Sequence, residues 1–321
     1  MRRFVVVSLA VAMALAGAVM TGPAGAVVPG RNGRIVFARC VWRSSCGWEL
    51  IAANPDDTGE VVLAGPYPRD AWDDHFIANW SPDGTKVVFM VYQGIWEVNA
   101  DGSNLHLVWS PPNDGTGLDD GPSFTPDGTR IVFTRCCPEA TGYSLWSINA
   151  DGTGLRDITS EPFVNGDGPS HNLPQVSPNG KKIVFHRCVP DDSPWGCTSQ
   201  IAVVNMNGSN MRLLTPPSMN AQLANWSPDS KTIVFRFNTA EGPTGIGTIN
   251  ADGTGLRELT FGTRSYDDSP AFSPDGTRIM FARAPTTGGG FDLFTMRPDG
   301  SRVTQVTKTA DSDLWAEWAA A

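Results

Sequence analysis

The sequence is poor in histidine, in basic residues and, beyond its first 26 positions, in long apolar runs. It contains four histidines, and its 24 Lys and Arg are outnumbered by 33 Asp and Glu, which gives a formal net charge of −9. An acidic chain repels phosphates, so we expect neither nucleic acid nor an anionic membrane surface as a partner. No apolar run after position 26 approaches the ~20 residues of a membrane span. The 11 Trp and 15 Phe exclude a disordered chain, because they supply enough apolar area for a core.

Common catalytic motifs are absent as well. The sequence has no G-x-S-x-G nucleophile elbow, no H-E-x-x-H zinc motif and no phosphate-binding P-loop. Gly152-Thr153-Gly154 is glycine-rich, and so is the segment from Gly253 to Gly255. Both fall in predicted hairpin turns with no helix after them, so they do not cradle a phosphate. A carboxylate pair for sugar cleavage could be drawn from the many acidic residues, but their abundance makes that a weak signal.

The first 26 residues have the composition of a secretory signal peptide. A basic start at Arg2-Arg3 precedes an uncharged apolar run, and Ala24-Gly25-Ala26 provides a small-residue cleavage site. We therefore predict a signal peptide over 1–26 and an exported domain over 27–321. The expected location is secreted, associated with the cell wall, or periplasmic.

An internal repeat dominates the rest of the chain. An apolar triplet, usually Ile-Val-Phe, recurs at intervals of 44 to 52 residues, beginning at Ile35, Val87, Ile131, Ile183, Ile233 and Ile279. Most triplets follow a Ser/Thr-Pro-Asp-Gly turn such as 81–84, and an Asn-x-Asp-Gly turn such as 99–102 comes after them. Proline presets φ at the second position of the turn, the Asp or Asn side chain hydrogen-bonds to the nearby backbone, and glycine adopts a positive φ. These segments therefore predict tight turns between β-strands.

Each unit contains four predicted strands, which we name A to D. Strand A precedes the Pro turn, B is the triplet, C precedes the Asn turn and D follows it. Four strands in a unit of roughly 45 residues are typical of a propeller blade. The first unit begins at strand B, and the C-terminal segment 313–321 looks like a lone strand A. We therefore predict an all-β, six-bladed β-propeller in which the C-terminal strand completes the N-terminal blade. The predicted blades span 32–65 plus 313–321, 76–110, 121–160, 172–216, 222–261 and 268–308.

The pattern Ser-Pro-Asp-Gly-x-x-Ile-Val-Phe, followed by Asn-x-Asp-Gly and Leu-Thr, resembles the TolB-like, WD-type propeller repeat. The resemblance covers nearly all of the chain after position 26 and is specific for the fold. The family that this pattern resembles includes envelope proteins that bind other proteins across the propeller mouth. Related blades also precede peptidase domains, and some polysaccharide lyases use them. TolB itself carries an N-terminal α/β domain, for which we expect no room here because blade one begins almost at the predicted cleavage site.

One face of the predicted propeller carries irregular loops, and functional residues tend to lie on such loops. The B–C and D–A loops share this face, which we call the loop face. Arginines lie two residues after the triplet Phe in four blades, at Arg39, Arg135, Arg187 and Arg283. Predicted aromatic contact residues are Trp42, Trp72, Trp195 and Tyr266. The D–A loops end in polar residues beside the predicted channel, including Asp74, His75, Asp120, His171, Asp268 and Asp313.

Three interpretations of these loop-face residues stay open. In the first, the carboxylates pair with the arginines or bond loop amides, as buried charges must. In the second, the six D–A residues named above bind a divalent cation, Ca²⁺ or Mn²⁺, because carboxylate oxygens with one or two histidines suit such ions. In the third, Trp, Tyr and Arg side chains recognise a partner, since these are the usual interface anchors. The Asp residues of the opposite face are expected to be turn formers.

The six cysteines of an exported chain predict disulfides. Cys40 and Cys46 flank one B–C loop, and Cys188 and Cys197 flank another, so we predict these two bonds. Cys136 and Cys137 remain. Their adjacent Cα atoms are ~3.8 Å apart, less than the ~4.4–6.8 Å of an ordinary disulfide. That pair is predicted as a strained loop bond or a redox-sensitive site, or else the pairing scheme is different.

Fold alone does not define an activity. The favoured hypothesis is a binding or scaffold module for an envelope or extracellular protein, or for a glycan, acting through the loop face. The alternative is a metal-dependent carbohydrate lyase or hydrolase with its site at the channel mouth. Whether the protein is an enzyme stays open, and the sequence favours a non-enzyme because few histidines lie near the mouth.

Overall fold

The computed structural model describes residues 29–42, 46–68, 77–92, 94–111, 119–136, 143–159, 169–191, 196–238, 242–261 and 264–321. Within these ranges it contains 24 β-strands and one 3-10 turn, Pro217–Met219. None of the helical structure in the described part is long and apolar enough to cross a membrane.

The strands form six antiparallel sheets of four strands each, in the order A-B-C-D from the axis outward. Strands A of blades one to six are β24 (Ser312–Ala320), β4 (Ala78–Trp80), β8 (Asp119–Phe124), β12 (Ser170–Val176), β16 (Gln222–Trp226) and β20 (Ser265–Phe272). Strands B are β1 (Asn32–Trp42), β5 (Lys86–Val91), β9 (Arg130–Cys136), β13 (Lys182–Pro190), β17 (Thr232–Asn238) and β21 (Ile279–Pro285).

The D strands of blades three to six are the shortest, with two residues each. Strands C are β2 (Cys46–Ala53), β6 (Gly94–Asn99), β10 (Tyr143–Asn149), β14 (Cys197–Asn205), β18 (Thr244–Asn250) and β22 (Asp292–Met296). Strands D are β3 (Val61–Pro68), β7 (His106–Trp109), β11 (Arg156–Asp157), β15 (Arg212–Leu213), β19 (Arg257–Glu258) and β23 (Thr304–Gln305). The predicted six-bladed propeller is confirmed.

The C-terminal strand closes the ring, as the sequence predicts. Strand β24 pairs antiparallel with β1, with Ile35 opposite Trp318 and Arg39 opposite Asp313. The amide of Ala321 donates to the carbonyl oxygen of Arg31 at 2.9 Å. Pairing the two ends of the chain in one sheet leaves no free inner edge in blade one.

The core lies between neighbouring blades, where the triplets pack. The six triplet phenylalanines are fully buried: Phe37, Phe89, Phe133, Phe185, Phe235 and Phe281. Each B strand has apolar side chains on both of its faces because a blade in the ring is covered on both sides, which explains the continuous Ile-Val-Phe runs. Burial of large apolar side chains supplies most of the stability of such a ring.

The turns opposite the loop face are held by short networks. In blade three, Asp127 Oδ1 accepts hydrogen bonds from the Thr125 hydroxyl at 2.6 Å and the Thr129 amide at 3.0 Å. Asn179 plays the same part in blade four, where its Oδ1 accepts from the Ser177 hydroxyl at 2.9 Å. The expectation that the Asp residues of this face are turn formers is confirmed, because their carboxylates serve their own turns.

The threonine of the Leu-Thr pattern, which follows strand D, hydrogen-bonds to the backbone of strand C. The hydroxyl of Thr260 accepts from the amide of Ile246 at 2.9 Å. Thr159, Thr215 and Thr307 make the same bond to the amides of Leu145, Ile201 and Leu293 in their own blades. The short D strands are therefore held by a buried side chain as well as by their ladders.

Candidate functional site

The loop-face arginine of blade one is locked in a buried ion pair. Nε and Nη2 of Arg39 donate to the two carboxylate oxygens of Asp313 at 2.7 and 3.1 Å, and Nη1 lies 2.9 Å from Glu60. Burial raises the pKa of the Asp313 carboxyl above its usual value, and the guanidinium of Arg39 limits that rise. For Arg39, burial alone lowers the pKa, but its bonds to Asp313 and Glu60 outweigh burial and raise it. The pair is a fixed element of the site.

Blade six repeats this arrangement. Nε and Nη2 of Arg283 donate to Asp267 at 2.6 and 2.7 Å, and the guanidinium lies 4.9 Å from the ring centre of Phe281. Asp267 is fully buried and opposes Arg283 in the register of β20 and β21. The fork of an arginine matches a carboxylate, so both groups are held in one orientation.

In blade three the arginine is stacked between two indoles. The guanidinium of Arg135 lies 4.7 Å from the ring centre of Trp109 and 5.2 Å from that of Trp146. Asp119 is opposite Arg135 in the strand register. Cation–π contacts of this kind fix the charge at a defined place beneath the loop face.

His171 of blade four points away from solvent. Its ring is 1% exposed, its Nδ1 lies 2.9 Å from the Thr159 hydroxyl, and its centre is 4.9 Å from that of Phe185. It opposes Arg187 in the register of β12 and β13. The immediate contacts of this histidine are thus those of a packed core residue.

The remaining predicted metal ligands have other partners or lie outside the described residues. Asp268 lies 3.3 Å from Nε of Arg236, and Asp120 accepts the amide of Gly121 at 2.6 Å. Asp74 and His75 fall outside the described ranges. Across the part of the chain that is described, no three His, Cys, Asp or Glu side chains are grouped so as to hold a metal ion. A metal at the mouth therefore stays a prediction.

Aromatic side chains occupy the loop face where the structure describes it. Tyr266 is 40% exposed and Tyr92 is 57% exposed. Tyr92 meets Tyr67 edge to face, with ring centres 5.9 Å apart, and burial beside Tyr92 raises the pKa of Tyr67. Trp72, Trp195 and the side chain of Trp42 lie outside the described residues. Sequence reasoning missed Tyr92, although it follows directly after a B strand.

The disulfide between Cys188 and Cys197 is present, with Cα atoms 5.7 Å apart. Cys40 is a disulfide-bonded residue as well. The side chains of Cys46 and Cys136, and all of Cys137, lie outside the described residues, so those pairings stay predictions.

A repeated bulge shapes the central channel. In five blades the register between strands A and B shifts in the middle of strand A, for example between Asn172 and Gln175. Left-handed residues occupy the shift at Gly121, Leu173, Leu223, Ser269 and Trp315. Glycine adopts positive φ readily, and the other side chains carry strain there. The bulge turns these residues toward the axis, where four of them line a cavity.

A second ring of residues, two positions farther along strands A, is mostly polar. The sequence analysis missed this ring. Five of these residues lie two positions after the bulge, and Asn79 is at the equivalent position of blade two; the set is Asn79, Ser123, Gln175, Asn225, Ala271 and Glu317. Gln175, Asn225 and Glu317 line an axial cavity of about 40 Å³. Among the described lining residues there is no Arg–Asp pair of the loop face. The usable signal is a polar residue two positions before a Ser-Pro or Thr-Pro turn, which holds for Asn79, Ser123, Gln175 and Asn225 but not for Glu317, which no such turn follows.

Glu317 is the charged group of this layer. Asn225 Nδ2 donates to its Oε2 at 2.6 Å, and its carboxyl is buried. Burial raises the pKa of Glu317 to about 8, although the bonds from the Trp318 amide and Asn225 act to lower it. Removal from water disfavours the charged carboxylate.

The chain resembles proteins of known fold. Residues 73–260 and 122–320 match the TolB beta propeller domain family. An uncharacterized protein of Agrobacterium fabrum is 30% identical over 167 residues, and the Tol-Pal system protein TolB of Anaeromyxobacter dehalogenans is 27% identical over 122 residues. The aligned part is 49% of this chain and 52% of the first relative, and 37% of this chain and 25% of the second.

Solved structures agree with this assignment. The crystal structure of TolB from Acinetobacter baumannii has a TM-score of 0.68 with this chain at 18% sequence identity, and the match covers 90% of this chain and 67% of that one. At this identity the likeness establishes the fold alone.

Proposed function

The chain belongs to the TolB beta propeller domain family, and we propose that it is an exported binding module that holds a protein partner on its loop face. The observation that carries this proposal is the exposure of Tyr92 and Tyr266 at a face whose buried and half-buried arginines form a fixed array. Arg39, Arg135 and Arg283 are each fixed by a carboxylate or by aromatic rings.

A fixed array suits recognition because little side-chain entropy is lost when a partner binds. The two exposed tyrosines, Tyr92 and Tyr266, add amphipathic contact area to this face. Tyrosine and arginine are enriched among the residues that dominate interface energies. On the opposite face, Asp127 and Asn179 are used by their own turns.

The relatives favour a protein over a glycan as the partner. One of them is named as a protein of the Tol-Pal system, and we extend protein binding to this chain on that basis. Export follows from the predicted signal peptide, and a fractionation experiment that finds the mature protein inside the cytoplasm would contradict it.

The lyase or hydrolase alternative depends on a metal site that includes Asp74 and His75. The described candidates Asp120, His171 and Asp268 each engage neighbouring protein atoms. The contacts occupy one ligand atom each in His171 and Asp120, Nδ1 and Oδ1, and both carboxylate oxygens in Asp268, where the Ser269 hydroxyl is the second partner.

Site-specific photo-crosslinking tests the proposal. A photoreactive residue replaces Tyr266 or Tyr92 on the loop face, and Arg297, which is exposed on the opposite face, serves as the matched control. We expect the same partner to be captured from positions 266 and 92 but not from 297. The purified partner should then bind Tyr266→Ala at least about tenfold more weakly, a loss of about 1.4 kcal/mol. Equal capture from both faces, or capture from position 297 alone, would refute the loop-face assignment.

A further inference from the structure

A groove opens between blades six and one on the face opposite the loop face. It has a volume of about 630 Å³, which lies in the range of small-ligand sites. Arg278 and Gln305 line it from blade six, and Asn54, Asp56 and Trp318 line it from blade one. These residues are not those of the axial cavity, so the groove is a separate concavity of the propeller.

The guanidinium of Arg278 is a donor that the fold does not use. The residue is exposed, lines the groove, and forms no side-chain hydrogen bond or ion pair with the described part of the chain. In blades one and three the arginine at the same place, directly before the apolar triplet, is held internally. Nη2 of Arg34 donates to the carbonyl oxygen of Ala52 at 2.7 Å, and Nη2 of Arg130 donates to that of Ser147 at 3.0 Å. Blade six therefore presents a planar array of N–H groups to a ligand in the groove.

The indole of Trp318 is a second donor without an acceptor. Trp318 lines the groove and is 3% exposed, and its Nε1 atom forms no hydrogen bond with the described residues. Trp226 occupies the equivalent place in blade five, where its Nε1 donates to the backbone carbonyl of Gln175 at 3.0 Å. A buried N–H without an acceptor costs stability. Its presence beside a groove therefore favours a ligand that brings an acceptor oxygen to this depth.

Other polar side chains of the groove are already engaged. Oδ1 of Asp56 accepts from the amide and the hydroxyl of Thr58 at 3.2 and 2.6 Å, and Nδ2 of Asn54 donates to the same hydroxyl at 3.0 Å. Nε2 of Gln305 donates to Asp292 at 2.8 Å. The bonds from Thr58 lower the pKa of Asp56, so its carboxylate stays charged at neutral pH. A ligand with one anionic group is thus favoured over a ligand with several, because further negative charge would be repelled by Asp56.

We propose that this groove binds the carboxylate of an organic acid or of a peptide C-terminus, which pairs with the guanidinium of Arg278 and reaches toward the indole N–H of Trp318. An ionised carboxylate only accepts hydrogen bonds, and its two oxygens match the fork of an arginine. A phosphate dianion is a poorer match, because the lining combines one guanidinium with the carboxylate of Asp56.

The equivalent groove between blades five and six has a different character. It has a volume of about 440 Å³, and Thr232 and Phe272 take the places of Arg278 and Trp318. Two aspartates and Arg257 also line it. The pair of unused donors therefore distinguishes the groove between blades six and one. The proposal does not depend on the binding function of the loop face, because none of its residues lies on that face.

The test is calorimetric titration of the purified protein with three probes. Butyrate is the free acid, acetylated trialanine with a free C-terminus is the peptide acid, and the same peptide with a C-terminal amide is the neutral control. We expect one saturable site for at least one acid and no binding of the amide. Saturation by butyrate assigns a free organic acid, and saturation by the peptide acid alone assigns a peptide C-terminus. Constant ionic strength controls for screening.

Substitutions in the groove should act in opposite directions. Arg278→Gln removes the positive charge and should weaken binding at least about tenfold. Asp56→Asn removes the opposing charge and should tighten binding, and its amide oxygen still serves the turn, as that of Asn207 does in blade four. Trp318→Phe removes the indole N–H and should weaken binding. Phe272 fills the equivalent place in blade six, so we expect this variant to fold.

Two matched controls lie at the same repeat positions outside this groove. Lys182 precedes the triplet of blade four, and Trp80 ends strand A of blade two with an indole that also has no acceptor among the described residues. Neither residue lines the groove. Lys182→Gln and Trp80→Phe should therefore bind the acid like the wild type, and thermal melting should show that each variant is folded.

Four outcomes would overturn the proposal. Neither acid could saturate a site at millimolar concentration. The amide could bind as tightly as the peptide acid. Arg278→Gln could bind like the wild type. Lys182→Gln could lose as much affinity as Arg278→Gln, which would show a nonspecific effect of charge.

Discussion

Asn225 and Glu317, 92 residues apart in sequence, meet across the axis through a 2.6 Å bond from Nδ2 to Oε2. They belong to blades five and one, and blade six between them contributes Ala271 at the equivalent position. The methyl group of alanine has no polar atom and little bulk, so it leaves the path between the two side chains open. The polar layer of the channel is thus connected between blades that are not neighbours in the ring.

The buried carboxyl of Glu317 predicts an unusual pH dependence. Its pKa rises from the usual 4.5 to about 8 on folding. A raised folded pKa means that the contribution to stability is fully present below pH 4.5 and is lost as the pH rises through 8. At about 1.4 kcal/mol per pKa unit, the ceiling of this loss is about 5 kcal/mol.

The comparison that isolates this effect uses Glu317→Gln, which does not titrate. Urea unfolding should show the wild type losing stability relative to the variant as the pH rises from 4.5 through 8, with the difference levelling off above the folded pKa. A constant difference across this range would show that the carboxyl is not shifted.

Two substitutions of the turn residue Asp127 should change the free energy of unfolding by different amounts. Asp127→Ala removes the acceptor for Thr125 and Thr129 and should cost about 1–2 kcal/mol. Asp127→Asn should cost little, because Asn179 already serves the same turn in blade four. Denaturant midpoints would measure both variants, and an equal loss in the two would show that charge rather than hydrogen bonding holds the turn.

Acid should weaken the same turn. Burial tends to raise the pKa of Asp127, but hydrogen bonds from Thr125 and Thr129 outweigh it and lower the pKa below its usual value. A lowered folded pKa contributes stability above the unfolded value, and this contribution is lost as the pH falls through the folded one. The stability gap between wild type and Asp127→Asn should therefore shrink on acidification, and a gap that widens would contradict this account.

In the buried ion pair of blade one, the effects of substituting Arg39 and Asp313 on the free energy of unfolding should be strongly coupled. Asp313→Ala leaves the guanidinium of Arg39 buried without its bidentate partner and should cost about 3–5 kcal/mol. Combining Asp313→Leu with Arg39→Met should cost less than Asp313→Ala alone, because no buried charge is then stranded and Glu60, the other partner of Arg39, is 37% exposed. A double-mutant cycle measured by chemical denaturation provides the coupling energy. Additive losses would mean that Glu60 alone satisfies Arg39.

The threonine that links strand D to strand C predicts a local effect. Thr260→Val preserves shape but leaves the amide of Ile246 without its acceptor, at a cost of about 1–3 kcal/mol. Thr254→Val, in an exposed turn of the same blade, is the control and should cost less. Hydrogen exchange should show faster exchange at the Ile246 amide in Thr260→Val, and unchanged protection there would exclude the hydroxyl as its partner.

The fold was predictable because one unit is repeated. The triplets, the two kinds of turn and the unpaired strands at the ends indicate the blades and the closing strand without any tertiary information. The pairing of Ile35 with Trp318 bears out that prediction. The arginines two residues after the triplet Phe were also visible, and pairing with carboxylates was among the interpretations that the sequence left open.

The channel was not predictable in the same way. Its lining depends on left-handed bulges at Leu173, Leu223 and Trp315, which are residue types that rarely adopt positive φ. Only Gly121 in blade three carries a local signal for that conformation. Because a bulge changes which side chains face the axis, the sequence alone did not point to Gln175, Asn225 and Glu317.

The pairing of β24 with β1 also determines when the ring can close. Five blades are built from consecutive chain and can form as soon as their own four strands have emerged. Blade one must hold β1 without an inner neighbour until β24, at the far end of the sequence, arrives to join it. Contacts of such long sequence separation form late, because the intervening chain must first be ordered. The ring therefore remains an open arc until β24 has been synthesised and has paired with β1.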